Sequence, residues 1–321
     1  MWRATIAGAL AAIGMFAGPA TAQSYPEKPI RLIVPFAPGG TNDIVARLAG
    51  LKLAERIGQS VVVDNRAGGS AAIGTELAAR ALPDGYTLLI VNINFAINPA
   101  MMSKLPYDAL RDFAPITLLA TSPVVLASHP SFPITSVKEL IAYARANPGK
   151  LNYSTSSAGS TTHIPMELLS SMAGIRMVPI HYKGGGPAMI DLLSGRVPLG
   201  FTTILSVQQY LRSDRLRAIA VSSAKRSNAL PNVPTVAESG LPGYDFSGWW
   251  GVVAPAKTPA AIVNRLSAEF AKVQHQPEMR DRLANEGAEP QTNTPEAFSG
   301  FLRAETAKWG KVAKDAGLRL E

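Results

Sequence analysis

IRLIVPFAPGGTNDIVARLAG, residues Ile30 to Gly50, decides how the rest of the chain is read. Its first five residues are apolar and branched and predict a strand, Pro38-Gly39-Gly40 predicts a turn, and a helix is expected from Asp43 to Ile57. Asp43, Arg47, Lys52, the pair Glu55-Arg56 and then Gln59 recur at spacings of three to five along this segment, and Gly58 stops the helix. Thr41 or Asn42 stands where a cap is expected. A strand, a glycine corner and a helix N-terminus leave backbone N–H groups free under the positive end of the helix dipole. That arrangement can hold a small anion. Glycines that only make a turn have the same sequence, so the neighbouring segments must decide.

The same pattern continues. SVVVDN reads as a strand, GGSAAIGTELAARA as a Gly-rich loop feeding a helix, and YTLLIV as a third strand ending near Asn92 and Asn94. Leu105 to Ser131 shows no helical period and reads as an extended crossing. Alternation then resumes: a helix from Ser136 to Ala146, the strand LNYST, the loop SSAGSTT, the helix HIPMELLSSMAG, the strand MVPIHY and the loop KGGG. Pro187 opens a further helix in the favoured first turn, followed by the strand LGFTTI, the helix SVQQYLRS and the strand LRAIAVSS. WWGVVAP, inside a Pro-rich stretch, reads as a return crossing, and its two tryptophans as either core or an aromatic wall. Helices finish the chain, the last from Pro295 to Ala316. Strands alternating with helices at this pitch predict an α/β fold, with parallel sheets in two lobes and a cleft between them.

The chain has 321 residues, 47% of them hydrophobic and 17% charged, enough for two lobes with real cores. Met1-Trp2-Arg3, the apolar run Ala4 to Gly18 and the small residues Ala20-Thr21-Ala22 read as a secretory leader over residues 1–22. The remaining boundaries are expected at 23–124 for the first lobe and 125–222 for the second. The return crossing and the C-terminal helices of the first lobe take 223–321. Without cysteine there is no disulfide, thiolate metal site, cysteine nucleophile or cysteine lipid anchor. Past the leader no apolar run reaches the ~18–20 residues of a membrane span. The net charge of +8 is not bunched into a basic run, and export argues against nucleic acid.

Three loops stand after a strand and before a helix: Pro38 to Asp43, Thr155 to His163, and Lys183 to Pro187. Strand ends and helix starts form the ligand edge of open parallel sheets. A cleft closed by these loops would present backbone N–H groups and small hydroxyls, among them Thr41, Ser156, Ser157, Ser160, Thr202 and Thr203, to a carboxylate. Enzyme signatures are missing. No phosphate loop, dinucleotide loop, zinc-protease helix or nucleophile elbow occurs, so no cofactor is expected, and the four histidines have no metal-ligand spacing.

Several phrases together resemble one family: YPEKPIRLIVPFAPGGTNDIVAR, ALPDGYTLL, LPYDALRDFAPI, HYKGGGPAMIDLLSGRV, LPNVPTVAESGLPGY and WWGVVAPAKTP. They look like the substrate-binding receptors of tripartite tricarboxylate transporters, the Bug (Bordetella uptake gene) proteins. The likeness runs through nearly all of the chain after the leader. It implies a type II periplasmic-binding-protein fold, two α/β lobes joined by crossing strands. It also implies a non-enzymatic receptor in the periplasm of a Gram-negative bacterium. Such a receptor passes a small organic acid to a membrane transporter of one large and one small subunit.

Carried over position by position, the resemblance implies Phe36, Gly39, Gly40, Asn42 and Asp43 in the first loop and Asn92 and Asn94 at the third strand end. In the second lobe it implies Ser156, Gly159, Ser160 and His163, with Lys183, Gly184, Thr202 and Thr203 completing the wall. NRAGGS is shorter in glycine and proline than the usual form, Pro198 stands where an acid is common, and NINFAINP is individual. Two other roles fit the residues: a ligand-binding accessory of a sensor kinase, or a secreted enzyme with Asp43 and His163 as acid and base.

Overall fold

The computed structural model describes residues 25–285, 287–315 and 318–319; the leader and the last residue of the expected final helix lie outside them. A six-stranded sheet organises the first lobe. Strand β1 (Ile30–Val34) pairs in parallel with β2 (Val61–Asn65) on one side and β3 (Thr87–Val91) on the other. The long strand β4 (Phe113–Ser122) leads into β5 (Val124–Ser128) with only Pro123 between, yet the two belong to different sheets. Proline has no N–H to give to either ladder, which suits it to the switch. The second lobe holds β6 (Asn152–Thr155) paired in parallel with β7 (Val178–His181), and β5 flanked by β8 (Leu199–Thr203) and β9 (Arg217–Val221), both antiparallel to it. The chain returns as β10 (Gly248–Pro255), slotted antiparallel between β3 and β4, and a two-residue strand, β11 (Glu289–Pro290), caps the edge.

Helices cover both faces of the first sheet, which is why β1 is apolar without alternation. Leu32 and Val34 pack on the side of α1 (Thr41–Ile57), while Ile33 faces the other side with α2 (Ala72–Ala79) and α3 (Ile93–Met101). In the second lobe follow α4 (Val137–Ala146), α5 (Ile164–Ala173), α6 (Gly185–Leu193) and α7 (Ile204–Arg212). Then α8 (Ala260–Gln274) and α9 (Pro277–Asn285) join α1, and α10 (Pro295–Asp315) lies along α3. Ser222 clasps the crossings. Its Oγ accepts from the Val124 N–H at 2.9 Å and donates to the Phe246 carbonyl at 2.7 Å.

Two expectations need correction. The segment after β3 is not a strand end but helix α3, whose start Asn92 caps by accepting the Asn94 N–H at 3.0 Å. The cap of α1 is Gly40, with no side-chain cap bond, rather than Thr41 or Asn42. Trp249 and Trp250 are buried in β10, which decides for core. Both indoles of the pair Trp249 and Trp309 donate to Glu305 Oε2 at 2.6 Å, tying β10 to α10.

Candidate functional site

The first glycine corner is shaped by a carboxylate of its own. Asp43, in the first turn of α1, accepts from the Gly39 N–H at 3.1 Å, Arg47 Nε at 3.0 Å and Asn65 Nδ2 at 3.0 Å. Burial alone would push its pKa up; the hydrogen bonds from Arg47, Gly39 and Asn65 outweigh that and hold it below the usual carboxylate range. Asn65 Nδ2 also donates to the Phe36 carbonyl at 3.0 Å, which fixes the bend. The N–H groups of Thr41 and Asn42, at the head of the helix, have no acceptor within it. Asn42 Oδ1 accepts from Asn92 Nδ2 at 3.1 Å, so α1 and α3 start side by side.

In the second lobe the loop after β6 is stitched by its small hydroxyls. Thr162 Oγ1 accepts from the Ser156 N–H at 2.7 Å and stands 3.0 Å from Ser156 Oγ and 3.1 Å from Ser160 Oγ. His163 Nδ1 accepts from the Gly159 N–H at 3.0 Å, which places the ring proton on Nε2, 3.6 Å from Glu167 Oε1. Burial, with a smaller push from His181 at a ring distance of 4.9 Å, lowers the His163 pKa to about 3. Asp43 and His163 are thus each engaged within their own lobe.

The lobes meet directly. The Ala37 N–H donates to the Lys183 carbonyl at 3.0 Å, and Thr41 Oγ1 hydrogen-bonds Thr203 Oγ1. Asn94 Nδ2 reaches the Ala158 carbonyl at 2.9 Å. The backbones pass so closely that a Cβ added to Gly40 would lie 3.0 Å from Gly185 N, and one added to Gly186 would lie 2.4 Å from the Pro38 carbonyl oxygen. Behind this seam is a cavity of about 270 Å³ with walls from both lobes, including Phe36, Gly69, Ser70, Ser157, His181 and Lys183. A larger hollow of about 560 Å³ lies outside α8 and α9, beside Gln274 and Arg280. Only the first lobe lines it, so lobe closure cannot enclose a ligand there.

Of the residues singled out from the sequence, Phe36 and Lys183 line the interlobe cavity. Gly39, Gly40, Gly184 and Thr203 sit at the seam, and Asn42, Asn92 and Asn94 form a polar line into it. Ser156, Gly159, Ser160 and His163 shape the facing loop, while Thr202 bonds Ser206 within β8–α7. The turn Gly68–Ala71, which also lines the cavity, was not among them, nor were His181 and Tyr182. The glycine pair of GGSA, between a strand and a helix, carries the same signal as the three loops that were chosen.

A family model described as tripartite tricarboxylate transporter family receptor matches residues 45–318. Protein BugT of Bordetella pertussis is 37% identical over 320 residues, covering 97% of this chain and 98% of that one. A solved R. palustris protein with adipate is 39% identical with a TM-score of 0.88, covering 91% of this chain and 98% of its own. MatC from Rhodopseudomonas palustris, solved with bound malate, is 30% identical with a TM-score of 0.86, covering 90% and 99%.

Proposed function

Because the chain belongs to the tripartite tricarboxylate transporter receptor family, we propose that it captures a small organic acid between its lobes and delivers it to a membrane transporter of that type. It is a binding receptor rather than an enzyme. The observation that carries the ligand reading is the interlobe cavity of about 270 Å³, walled by Phe36 and the Gly68–Ala71 turn of the first lobe and by Ser157, His181 and Lys183 of the second. Lys183, Ser157 and the Gly68–Ala71 turn offer polar partners to a carboxylate there, with the helix start at Thr41–Asn42 and Gly39 and Gly40 at the seam in front of it. Related receptors hold adipate and malate, and a di- or hydroxydicarboxylate of that size fits such a cavity.

The mechanism is closure without covalent chemistry. Contacts made to both lobes at once favour the closed form, because a ligand shifts an equilibrium only by its differential affinity. Residues 1–22 act as the export leader to the periplasm, and among the described residues no helix is long and apolar enough to cross a membrane. The large and small transporter subunits are the partners the family implies.

The test is a thermal-shift screen of the chain from Gln23, unfolded and refolded to strip carried ligand, against mono-, di- and tricarboxylates. At a hundred times Kd a native-state ligand adds about 2.7 kcal/mol, a shift of a few degrees or more. One carboxylate class is expected to raise the melting temperature. Folded protein that responds to none of them overturns the carboxylate reading.

A further inference from the structure

The turn Gly68–Ala71 walls the interlobe cavity in a conformation that its own residues resist. Gly69, Ser70 and Ala71 run left-handed in succession, with φ of 55°, 50° and 76°. For residues with a Cβ this region is disfavoured, so Ser70 and Ala71 must be held there by their surroundings. Two side chains do so. Thr75 Oγ1 donates to the Ala71 carbonyl at 2.8 Å, but Thr75 belongs to the helix that the turn opens and moves with it. Asn98 Nδ2 donates to the Ser70 carbonyl at 2.8 Å, and Asn98 comes from α3. It is fully buried, and its Oδ1 has no partner among the described residues. A buried amide with an unpaired oxygen is unfavourable in itself, which points to the donor half as its use.

One helical turn earlier on α3, Asn94 donates across the lobe seam to the Ala158 carbonyl, and Ala158 is also in the cavity wall. The spacing of four puts both amides on one face of α3. The helix therefore grips the second-lobe wall through Asn94 and the first-lobe wall through Asn98.

We propose that Asn98 is a positioning residue for ligand recognition, holding the Ser70 carbonyl so that the left-handed turn keeps its place in the cavity wall. The inference rests on the interlobe cavity being the carboxylate site. The test compares the parent with Asn98→Asp, which keeps the shape and removes the donor, and with Asn98→Leu, which avoids a buried charge. In protein without added ligand, amide hydrogen exchange over residues 66–73 is expected to quicken at least fivefold in both variants, with β3 unchanged. Titration with L-malate and with adipate is expected to show a tenfold or greater loss for whichever the parent binds. Adding Ala71→Gly to either variant is expected to recover much of that loss, since glycine takes the left-handed conformation freely; a merely structural defect would not respond. Unchanged exchange over 66–73 overturns the inference, and so does faster exchange with unaltered affinity. If the parent binds neither acid, the carboxylate reading is what fails, and the exchange comparison still decides whether Asn98 holds the turn.

Discussion

Gly186→Ala separates closure from folding because it pushes the two in opposite directions. Gly186 is the second residue of α6, and a Cβ there would stand 2.4 Å from the Pro38 carbonyl oxygen of the other lobe. An ordinary carbon–oxygen contact needs about 3.3 Å, so the seam must open by roughly 0.9 Å or deform. Overpacking of this kind costs about 1–3 kcal/mol, and here it falls only on the closed form. At 1.4 kcal/mol per decade the affinity is expected to weaken about 5- to 150-fold. Within α6 itself alanine favours the helix over glycine by roughly 0.5–1 kcal/mol, whatever the lobes do. The melting temperature of the ligand-free variant is therefore expected to hold or rise slightly while binding is lost. Titration calorimetry with the carboxylate found by the screen reads the first quantity and a thermal melt the second. Gly300→Ala in α10 is the control, since a Cβ there meets nothing within 4 Å. Parent-like affinity in Gly186→Ala would refute the closed-seam argument. A fall in melting temperature matching the fall in affinity would refute it too, by showing local damage.

Two further outcomes follow from buried groups. Glu305→Ala strands the indole N–H groups of Trp249 and Trp309, each 2–3% exposed, at about 1–3 kcal/mol apiece. The melting temperature is expected to fall by roughly 5 °C or more, whereas Glu305→Gln, which keeps an acceptor oxygen, is expected to retain most of the stability. Equal losses in the two variants would contradict the shared-acceptor account. For His163 the folded pKa is about 3 against 6.5 when free, so the unfolded chain binds the extra proton between those values. Its contribution to stability is therefore level above about pH 6.5 and declines as pH falls toward 3. Urea unfolding at several pH values is expected to give a shallower acid decline in His163→Gln, and an equally steep one would exclude this origin.

Most of the frame was legible because burial on both faces writes itself into composition. Ile30–Val34 and Thr87–Val91 are nearly continuous apolar runs, and the helices between them carry a charged side and a stop glycine. Helix α3 was not legible. NINFAINP holds three asparagines and Pro99, poor helix formers, and the helix exists because Asn92 caps it and α10 covers it. The cap of α1 was misread for a tertiary reason: Gly40 is needed for the approach of Gly185, 145 positions away, not for local capping. Likewise Ser70 and Ala71 prefer right-handed backbone by themselves, so nothing local announces a left-handed turn held by Asn98. The loops could be found one by one in the sequence, but which of them face each other is decided by the crossing at Pro123.

The chemistry of the seam explains why so few charges stand in it. Asp43 is spent on Gly39, Arg47 and Asn65, and His163 is neutral and bonded to Gly159. What remains for an acid is a set of dipoles and hydroxyls divided between two lobes, with Lys183 at the wall. An arginine fork in one lobe would hold a carboxylate firmly whether or not the lobes were closed. Divided donors act differently: each lobe alone offers a weak site, and affinity appears only when both are in place. Separating the lobes then releases the ligand without breaking a strong ion pair. On the proposed reading, a receptor that gives up its cargo is served by such a cleft, because its affinity would come from both lobes together rather than from one charged side chain.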